Sequence, residues 1–373
     1  MNTNLQSKPY SQARGEQVAA KKEYTLIKLA LDVHAASITV VQQTEGSSAQ
    51  PAQKLSPEKL LAWVRKRVNQ AERVVSCYEA GPTGFWLHRR LIALGVESYV
   101  VCPTALDSRG KGVSTDKTDA MELSVRLDRY VAGHRKSFSV VRVPSPEEEA
   151  QRAQTRQREQ LRRHRLSLAA QGRTALLLTG RRESNHWWKA TRWARLQREL
   201  PEELVQRLRV YHRLIEQLDQ EVVALTKGIA AAATAARPHG MGALTSQVVE
   251  REVGDWNRFG NRRQAGSYAG LTGGVSGSGE RSADLSVTKA GNKRLRTALI
   301  ELSWRLLTHQ PDYWLVKKWR AVLLDRKAHV RRRKQAIVAF ARQLLVDLWR
   351  WRTGRRTPAQ LGWKMTQIVE ATP

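Results

Sequence analysis

Four apolar, β-favouring runs in the first hundred or so residues limit this chain more than any other feature: TLIKLALDV (25–33), ASITVVQQ (36–43), RVVSCYEA (73–80) and VESYVVCP (96–103). Each reads as a strand. The first two are joined by a very short turn, which predicts an antiparallel hairpin with Asp32 near its tip. Between the second and third, SPEKLLAWVRKRVNQ predicts a helix with Ser56 as N-cap, Pro57 at the first position and Glu58 in the first turn. Between the third and fourth, GPTGFWLHRRLIALG predicts a turn and then a helix stopped at Gly95. Strands that alternate with helices after a hairpin imply a mixed sheet covered by helices, an α/β domain.

Charge bounds the partners. The 373 residues carry 64 Lys+Arg against 34 Asp+Glu, a formal net charge of +30, yet 41% are hydrophobic and 12 are Trp. That composition describes two or three folded domains with charge on their surface, not a basic tail. Positive excess attracts polyanions, and counterion release makes their binding steeply salt dependent, so DNA or RNA is expected before a membrane surface. No apolar run approaches the roughly 20 residues that span a bilayer. The N-terminal MNTNLQSKPYSQARGEQVAAKKEY lacks the apolar core of a signal peptide, which predicts a flexible basic arm over residues 1–24 and a cytoplasmic protein. Cys77 and Cys102 both sit in strand-like runs and are expected as buried thiols. Two cysteines cannot build a disulfide framework or a four-cysteine zinc site within one chain.

Against this basic background four acids stand out. Asp32 and Glu79 fall at or near the C-terminal ends of strands, where open α/β sheets gather ligands. Asp116 and Asp119, in STDKTDAMELSVRLDRY, are spaced i, i+3 where a helix starts, so their carboxylates share a face. Hard cations such as Mg²⁺ or Mn²⁺ take oxygen ligands and keep several waters, so three or four carboxylates suffice for one or two ions. Each acid also has a plainer explanation. Asp32 can be a turn residue, Asp116 an N-cap, and Asp119 with Glu122 first-turn residues favoured by the helix dipole. Glu79 closes the apolar run VVSCY and needs a cation or basic partner to offset its desolvation.

Strands stop at PSPEEE (144–149). From Glu147 to about Leu178 the chain favours helix and carries Arg152, Arg156, Arg158, Arg162, Arg163, Arg165 and Arg173 over a thin apolar stripe. One face is expected to be a basic rail for RNA or DNA, with Arg152, Arg156, Arg162, Arg163 and Arg165 as its contacts; a solvated helix face is the alternative. A heptad series follows through Leu204, Leu208, Tyr211, Ile215, Leu218, Val222, Leu225 and Ile229. It predicts a coiled coil, either an antiparallel hairpin with the arginine-rich helix or a dimer seam. Between the two, HWWKATRW (186–193) sets Trp187, Trp188 and Trp193 beside Lys189 and Arg192, which suits base stacking or local packing equally.

The last third opens with a Gly-x-Gly turn, Gly240 and Gly242, before a helix, a geometry that exposes backbone N–H groups to phosphate. LTGGVSGSGERSADLS then reads as a Gly/Ser loop holding Ser276 and Ser278, a linker on composition alone. TKAGNKRLR reads as a basic turn and helix start, with Lys289, Asn292, Lys293 and Arg294 as nucleic-acid contacts.

The ordered set ALDVHAASITV, YEAGPTGFWLHRRL, GVSTDKTDAMEL, GDWNRFGNRRQAGSYAGLT, SGSGERS and VTKAGNKRLRTALIE resembles the insertion-sequence 110 family of DEDD transposases, which includes the pilin-gene invertases, over roughly residues 25–350. The resemblance implies an RNase H-like (RuvC-like) α/β domain over 25–143, a helical coiled-coil segment with a Trp-rich insertion over 144–230, and a mostly α-helical transposase domain over 231–373. It implies Asp32, Glu79, Asp116 and Asp119 as ligands of Mg²⁺ or Mn²⁺, and Ser278 as nucleophile with Ser276 as the neighbouring alternative. Donor and target DNA, a structured noncoding guide (bridge) RNA, and a dimer or tetramer assembled through the coiled coil would be its partners. The acids and serine would then meet across subunits, with the protein nucleoid-associated when active. The chain departs from the pattern in having Gly273-Gly274-Val275-Ser276-Gly277 before Ser278, and Pro238 displaced from the Gly-x-Gly turn. A RuvC-like nuclease or Holliday-junction resolvase, using the four acids with water as nucleophile, is the other enzymatic reading; a non-catalytic nucleic-acid-binding protein is the third.

Overall fold

The computed structural model describes residues 22–102, 115–278 and 281–366, the side chains of 275–278 and 281–286 excepted. The chain divides into two compact units, Met1–Val143 and Pro144–Pro373.

The first unit is a five-stranded mixed sheet in the order β3-β2-β1-β4-β5. β1 (Tyr24–Val33) and β2 (Ile38–Thr44) form the expected hairpin, with Asp32 opposite Thr39 two pairs from the turn. β3 (Gln53–Leu55) is a three-residue edge strand on β2 that the sequence pattern does not announce. β4 (Ala71–Glu79) and β5 (Glu97–Val101) run parallel to β1. Helix α1 (Pro57–Gln70) starts on Ser56, whose hydroxyl accepts from the Lys59 N–H, as the sequence predicts. Helix α2 (Trp86–Ala93) ends before Gly95, whose φ of +87° accounts for the glycine. Alternation along the strands sorts the two faces. Ile27, Leu29, Leu31, Val74 and Tyr78 join α1 and α2 in one core, while Ala30, Val75 and Cys77 meet Ala120, Leu123 and Leu127 of α3 (Asp116–Val131) in the other.

In the second unit, α4 (Pro146–Leu177) begins with a capping box in which Ser145 and Glu148 satisfy each other's backbone N–H groups. A short α5 (Ala190–Glu199) leads to α6 (Glu202–Ala231). Arg158 donating to Thr226 and Arg165 pairing with Asp219 set α4 and α6 antiparallel. Leu208, Ile215, Val222 and Ile229 of the heptad series are buried, so the seam is covered within this chain. Trp187, Trp188 and Trp193 are buried between these helices, which decides for packing and against base stacking. The Trp187 indole donates to the Ala169 carbonyl at 2.8 Å and lies over Gly172, where a Cβ would stand 2.1 Å from the ring.

The rest of this unit is mostly helical: α7 (Ala243–Val253), α8 (Arg262–Ser267), α9 (Lys293–His309), α10 (Trp314–Leu324), α11 (Val330–Arg352) and α12 (Pro358–Leu361). Leu299, Leu302 and Leu306 of α9 and Phe340, Leu344 and Leu345 of α11 centre its core. A fully buried Asp347 in α11 accepts hydrogen bonds from Tyr313, Trp314, Gln343 and Arg350. The Gly/Ser stretch is not a loop. It folds as an antiparallel hairpin of β6 (Gly273–Ser278) and β7 (Arg281–Val287), with an irregularity between Gly273 and Val275. Glycine tolerates such a bulge, and Val275 and Val287 favour strand, which is why loop-like composition still pairs. No helix among the described residues is long and apolar enough to cross a membrane.

Candidate active site

The sheet register brings the first two acids together. Leu31 pairs with Tyr78 across the parallel β1 and β4, so the next residues, Asp32 and Glu79, end neighbouring strands about 4.8 Å apart. Period two places them on the same face as Ala30 and Cys77, the face that α3 covers. The α3 N-terminus carries the other two. Thr115, not Asp116, is the N-cap: its hydroxyl accepts from the Thr118 N–H, and Thr118 returns the bond in a capping box. Asp116 is therefore not consumed by capping. Asp116 and Asp119 both lie in the first turn, where the helix dipole favours negative charge.

Two basic groups that the sequence pattern does not announce complete the cluster. His34 Nε2 stands 3.1 Å from Asp32 Oδ2 and 3.5 Å from Asp116 Oδ1. Lys54 of β3 donates to Asp116 Oδ2 at 3.0 Å. The only signal for His34 is its place two residues beyond Asp32 in the short hairpin turn; Lys54 has none, because it arrives on the edge strand.

The acids feel one another. Burial pushes the Asp32 carboxyl above its ordinary value; His34 opposes this, and the Asp116 and Asp119 carboxylates add to it. Burial likewise raises Glu79, with Arg126 opposing and Asp119, Asp32 and Glu122 reinforcing. Asp116 is held below its ordinary value by the Lys54 hydrogen bond. Two half-buried carboxyls raised first by burial and then by neighbouring like charge form a site that a cation would relieve. Asp32, His34 and Asp116 each offer a ligand atom within 4.8 Å of the others. The set is dominated by carboxylate oxygen and fits a hard divalent cation such as Mg²⁺ or Mn²⁺.

Ser278 ends β6, opposite Arg281 in the hairpin, and Ser276 lies two residues earlier, opposite Ala283. Both side chains lie outside the described residues. Gly240, in the Gly-x-Gly turn, has a φ of +91° and packs on His309, where a Cβ would stand 2.6 Å from the histidine Cβ. This packing alone accounts for that glycine.

The arginine rail is divided by internal contacts. Arg152 donates to the Arg251 carbonyl at 2.8 Å, and Arg156 grips the buried Glu252 of α7 through two bonds of 3.2 and 3.1 Å. Arg158 and Arg165 are engaged with α6. Among the described residues Arg162 and Arg163 bond to Glu159 on their own helix, and they remain 41% and 55% exposed. A single nucleic-acid face is thus corrected to three outward arginines, Arg162, Arg163 and the exposed Arg173, because the Arg251 carbonyl, Glu252, the Thr226 hydroxyl and Asp219 draw Arg152, Arg156, Arg158 and Arg165 onto α6 and α7. Asn292 is also structural: its carbonyl oxygen caps α9, and its amide donates to Glu252 at 2.8 Å. Lys289 and Lys293 are exposed, and Arg294 is half-buried. Cys77 is buried, with burial pushing its thiol up to about 12, whereas Cys102 is exposed at the strand end, contrary to its apolar surroundings in sequence.

Residues 234–317, which include the serine hairpin, match the transposase family IS116/IS110/IS902. The chain is 33% identical over 323 residues to the transposase-family protein y4rJ of Sinorhizobium fredii (strain NBRC 101917 / NGR234), an overlap of 77% of this chain and 79% of that one. It is 33% identical over 119 residues to the transposase for insertion sequence element IS1111A of Coxiella burnetii (strain RSA 493 / Nine Mile phase I), 32% of each chain. Over 140 residues it is 28% identical to the transposase for insertion sequence element IS1533 of Leptospira borgpetersenii, 36% of this chain and 39% of the relative. The chain belongs to the IS116/IS110/IS902 family of transposases.

Proposed function

We propose that the protein cuts and rejoins DNA for a mobile insertion sequence, using Asp32, Glu79, Asp116 and Asp119 on a RuvC-like unit to hold divalent ions, and Ser278 as nucleophile. The observation that carries the reading is convergence: two strand ends and one helix start deliver four acids to one edge of a sheet in a chain of net charge +30. The raised Asp32 and Glu79 carboxyls, pushed up by burial and further by the neighbouring acids, support the reading, because a bound cation would offset both.

Bound Mg²⁺ or Mn²⁺ supplies Lewis-acid polarisation of a phosphodiester and neutralises charge as it develops. The protein's part is to hold the carboxylates in place. The α1 and α2 core fixes the strand ends, the Thr115 capping box fixes the start of α3, and Lys54 and His34 orient Asp116 and Asp32. The Ser278 hydroxyl forms a bond to phosphorus as the bond to the leaving sugar oxygen breaks. A hydroxyl of the second strand later displaces the serine, so phosphodiester energy is conserved and no ATP is consumed. Ser276 stands as the alternative nucleophile two residues away.

In this reading a structured noncoding RNA of the element pairs with donor and target DNA. The exposed Arg162, Arg163, Lys289 and Lys293 contribute backbone contacts, and the chain assembles as a dimer or tetramer. The test is recombination between element-end and target DNA by purified protein with its copurified RNA. Asp32→Asn and Ser278→Ala are each expected to abolish product while retaining nucleic-acid binding. Undiminished product from Asp32→Asn refutes the metal assignment. Undiminished product from both Ser278→Ala and Ser276→Ala refutes the serine mechanism.

A further inference from the structure

The second unit holds an open cleft of about 1400 Å³ between α10, α11 and the base of the β6–β7 hairpin. Its wall carries Lys318, Arg331, Lys334 and Arg342 together with Trp314 and Trp319, and no acidic residue among the described side chains lines it. None of the four cations has an acidic partner among the described residues. Trp314 is 37% exposed. Its ring is fixed, because the indole N–H donates to the buried Asp347 at 2.8 Å. Trp319 packs one side against the core, and Lys318 lies 5.4 Å from its ring centre. The cleft is larger than the roughly 300–1,000 Å³ of small-molecule pockets. Uncompensated cations beside rigid, partly exposed indoles provide what single-stranded nucleic acid needs: charge for successive phosphates and aromatic faces for sequence-independent stacking.

We infer that this cleft binds single-stranded DNA, holding the unpaired strand that leads away from the cleaved phosphate. The choice of DNA rests on the reading of Ser278 as the nucleophile. The cleft takes Gly273 and Val287, the hairpin's base, into its wall, and β6 runs from there to Ser278. Five residues of strand at about 3.4 Å each span roughly 17 Å. Ser278 thus stands roughly 17 Å along β6 from the cleft wall, a span that a short single strand bridges. A strand anchored there keeps its freed end from diffusing away before the second strand attacks.

The experiment is equilibrium binding of fluorescein-labelled oligo-dT and oligo-rU of equal length to the full chain, read by anisotropy. EDTA is present so that no cleavage intervenes, which makes the result independent of whether the acid and serine assignment holds. Oligo-dT is expected to bind, and Trp319→Leu, which keeps an apolar side chain against the core but removes the stacking face, to weaken it roughly tenfold. Lys318→Gln with Lys334→Gln, at exposed positions that fold without them, is expected to flatten the log–log salt slope by about 1.4, or 0.7 per phosphate lost. Ultraviolet crosslinks of bound oligo-dT are expected to map to Trp314 or Trp319. Unchanged affinity and salt slope in both variants, crosslinks that map elsewhere, or binding of oligo-rU with no binding of oligo-dT would overturn the inference. A second copy of the chain in the cleft is the competing outcome: self-association abolished by the same variants also overturns it.

Discussion

Arg156→Ala separates a structural arginine from a nucleic-acid contact. In the folded chain the Arg156 guanidinium makes two bonds, of 3.2 and 3.1 Å, to Glu252, a residue 1% exposed whose carboxylate also accepts from the Asn292 amide. Removing one partner of a buried pair costs about 3–5 kcal/mol. The Arg156 side chain is 41% exposed, so solvent screens part of that, and about 2 kcal/mol is the reasonable figure. For a unit of this size each kcal/mol moves the midpoint by roughly 2–4 °C, which gives a fall of about 4–8 °C in thermal unfolding. The double variant Arg156→Leu with Glu252→Leu removes both charges and is expected to recover part of the loss. The effect has a pH sign. Burial pushes Glu252 up, but the bonds from Arg156 and Asn292 outweigh it and hold its carboxyl below the ordinary value. A depressed carboxyl stabilises the fold above its unfolded pKa of about 4.3 and loses that contribution as pH falls through the folded value. The gap between wild type and Arg156→Ala is therefore expected to be full at pH 7 and to close below about pH 4. An unchanged midpoint at pH 7, together with lost RNA or DNA affinity, refutes the reasoning and restores Arg156 to the rail.

Gly172→Ala sets a Cβ 2.1 Å from the Trp187 ring, and overpacking of about 1–3 kcal/mol outweighs the helix-propensity gain of up to about 1. A lower unfolding midpoint is expected; a raised one would contradict the Trp187 packing. Iodoacetamide at pH 8 is expected to label Cys102 quickly and to leave Cys77, whose thiol burial pushes up to about 12, unmodified in the folded chain, as peptide mapping will read. Because Asp32 and Glu79 are raised, protons compete for them above the usual carboxylate range. Midpoint stabilisation by Mn²⁺ is expected to be larger at pH 7.5 than at pH 5.0, and an equal effect at both would remove these two carboxyls from the ion's ligands.

The parts of this molecule that were legible in the sequence are those decided locally. β-rich runs joined by a very short turn announce the β1–β2 hairpin, Ser56-Pro57-Glu58 the start of α1, and a 4-3 spacing of apolar residues α6. Strand ends and helix starts are themselves readable, which makes the positions of the four acids legible, and the register sets Asp32 beside Glu79. What escaped depends on distant partners. The rail arginines look free until Glu252, 96 residues from Arg156, reaches them through tertiary packing. Lys54 joins the site from a three-residue edge strand too short to carry a period. The serine hairpin reads as a linker because glycine and serine dominate it, and its two strands hold register through pairing that composition does not report. The three tryptophans were undecided because only the gap left by Gly172 shows where the Trp187 ring goes.

The most direct test of the active-site reading is to trap the protein–DNA intermediate. Purified protein is incubated with its nucleic-acid substrates and Mg²⁺, quenched in denaturant, digested, and searched by mass spectrometry for a nucleotide-modified peptide. The account predicts a phosphoserine-linked nucleotide at Ser278 in the wild type and none in Asp32→Asn. Cleavage that proceeds with no serine adduct, or an adduct that forms undiminished in Asp32→Asn, contradicts it.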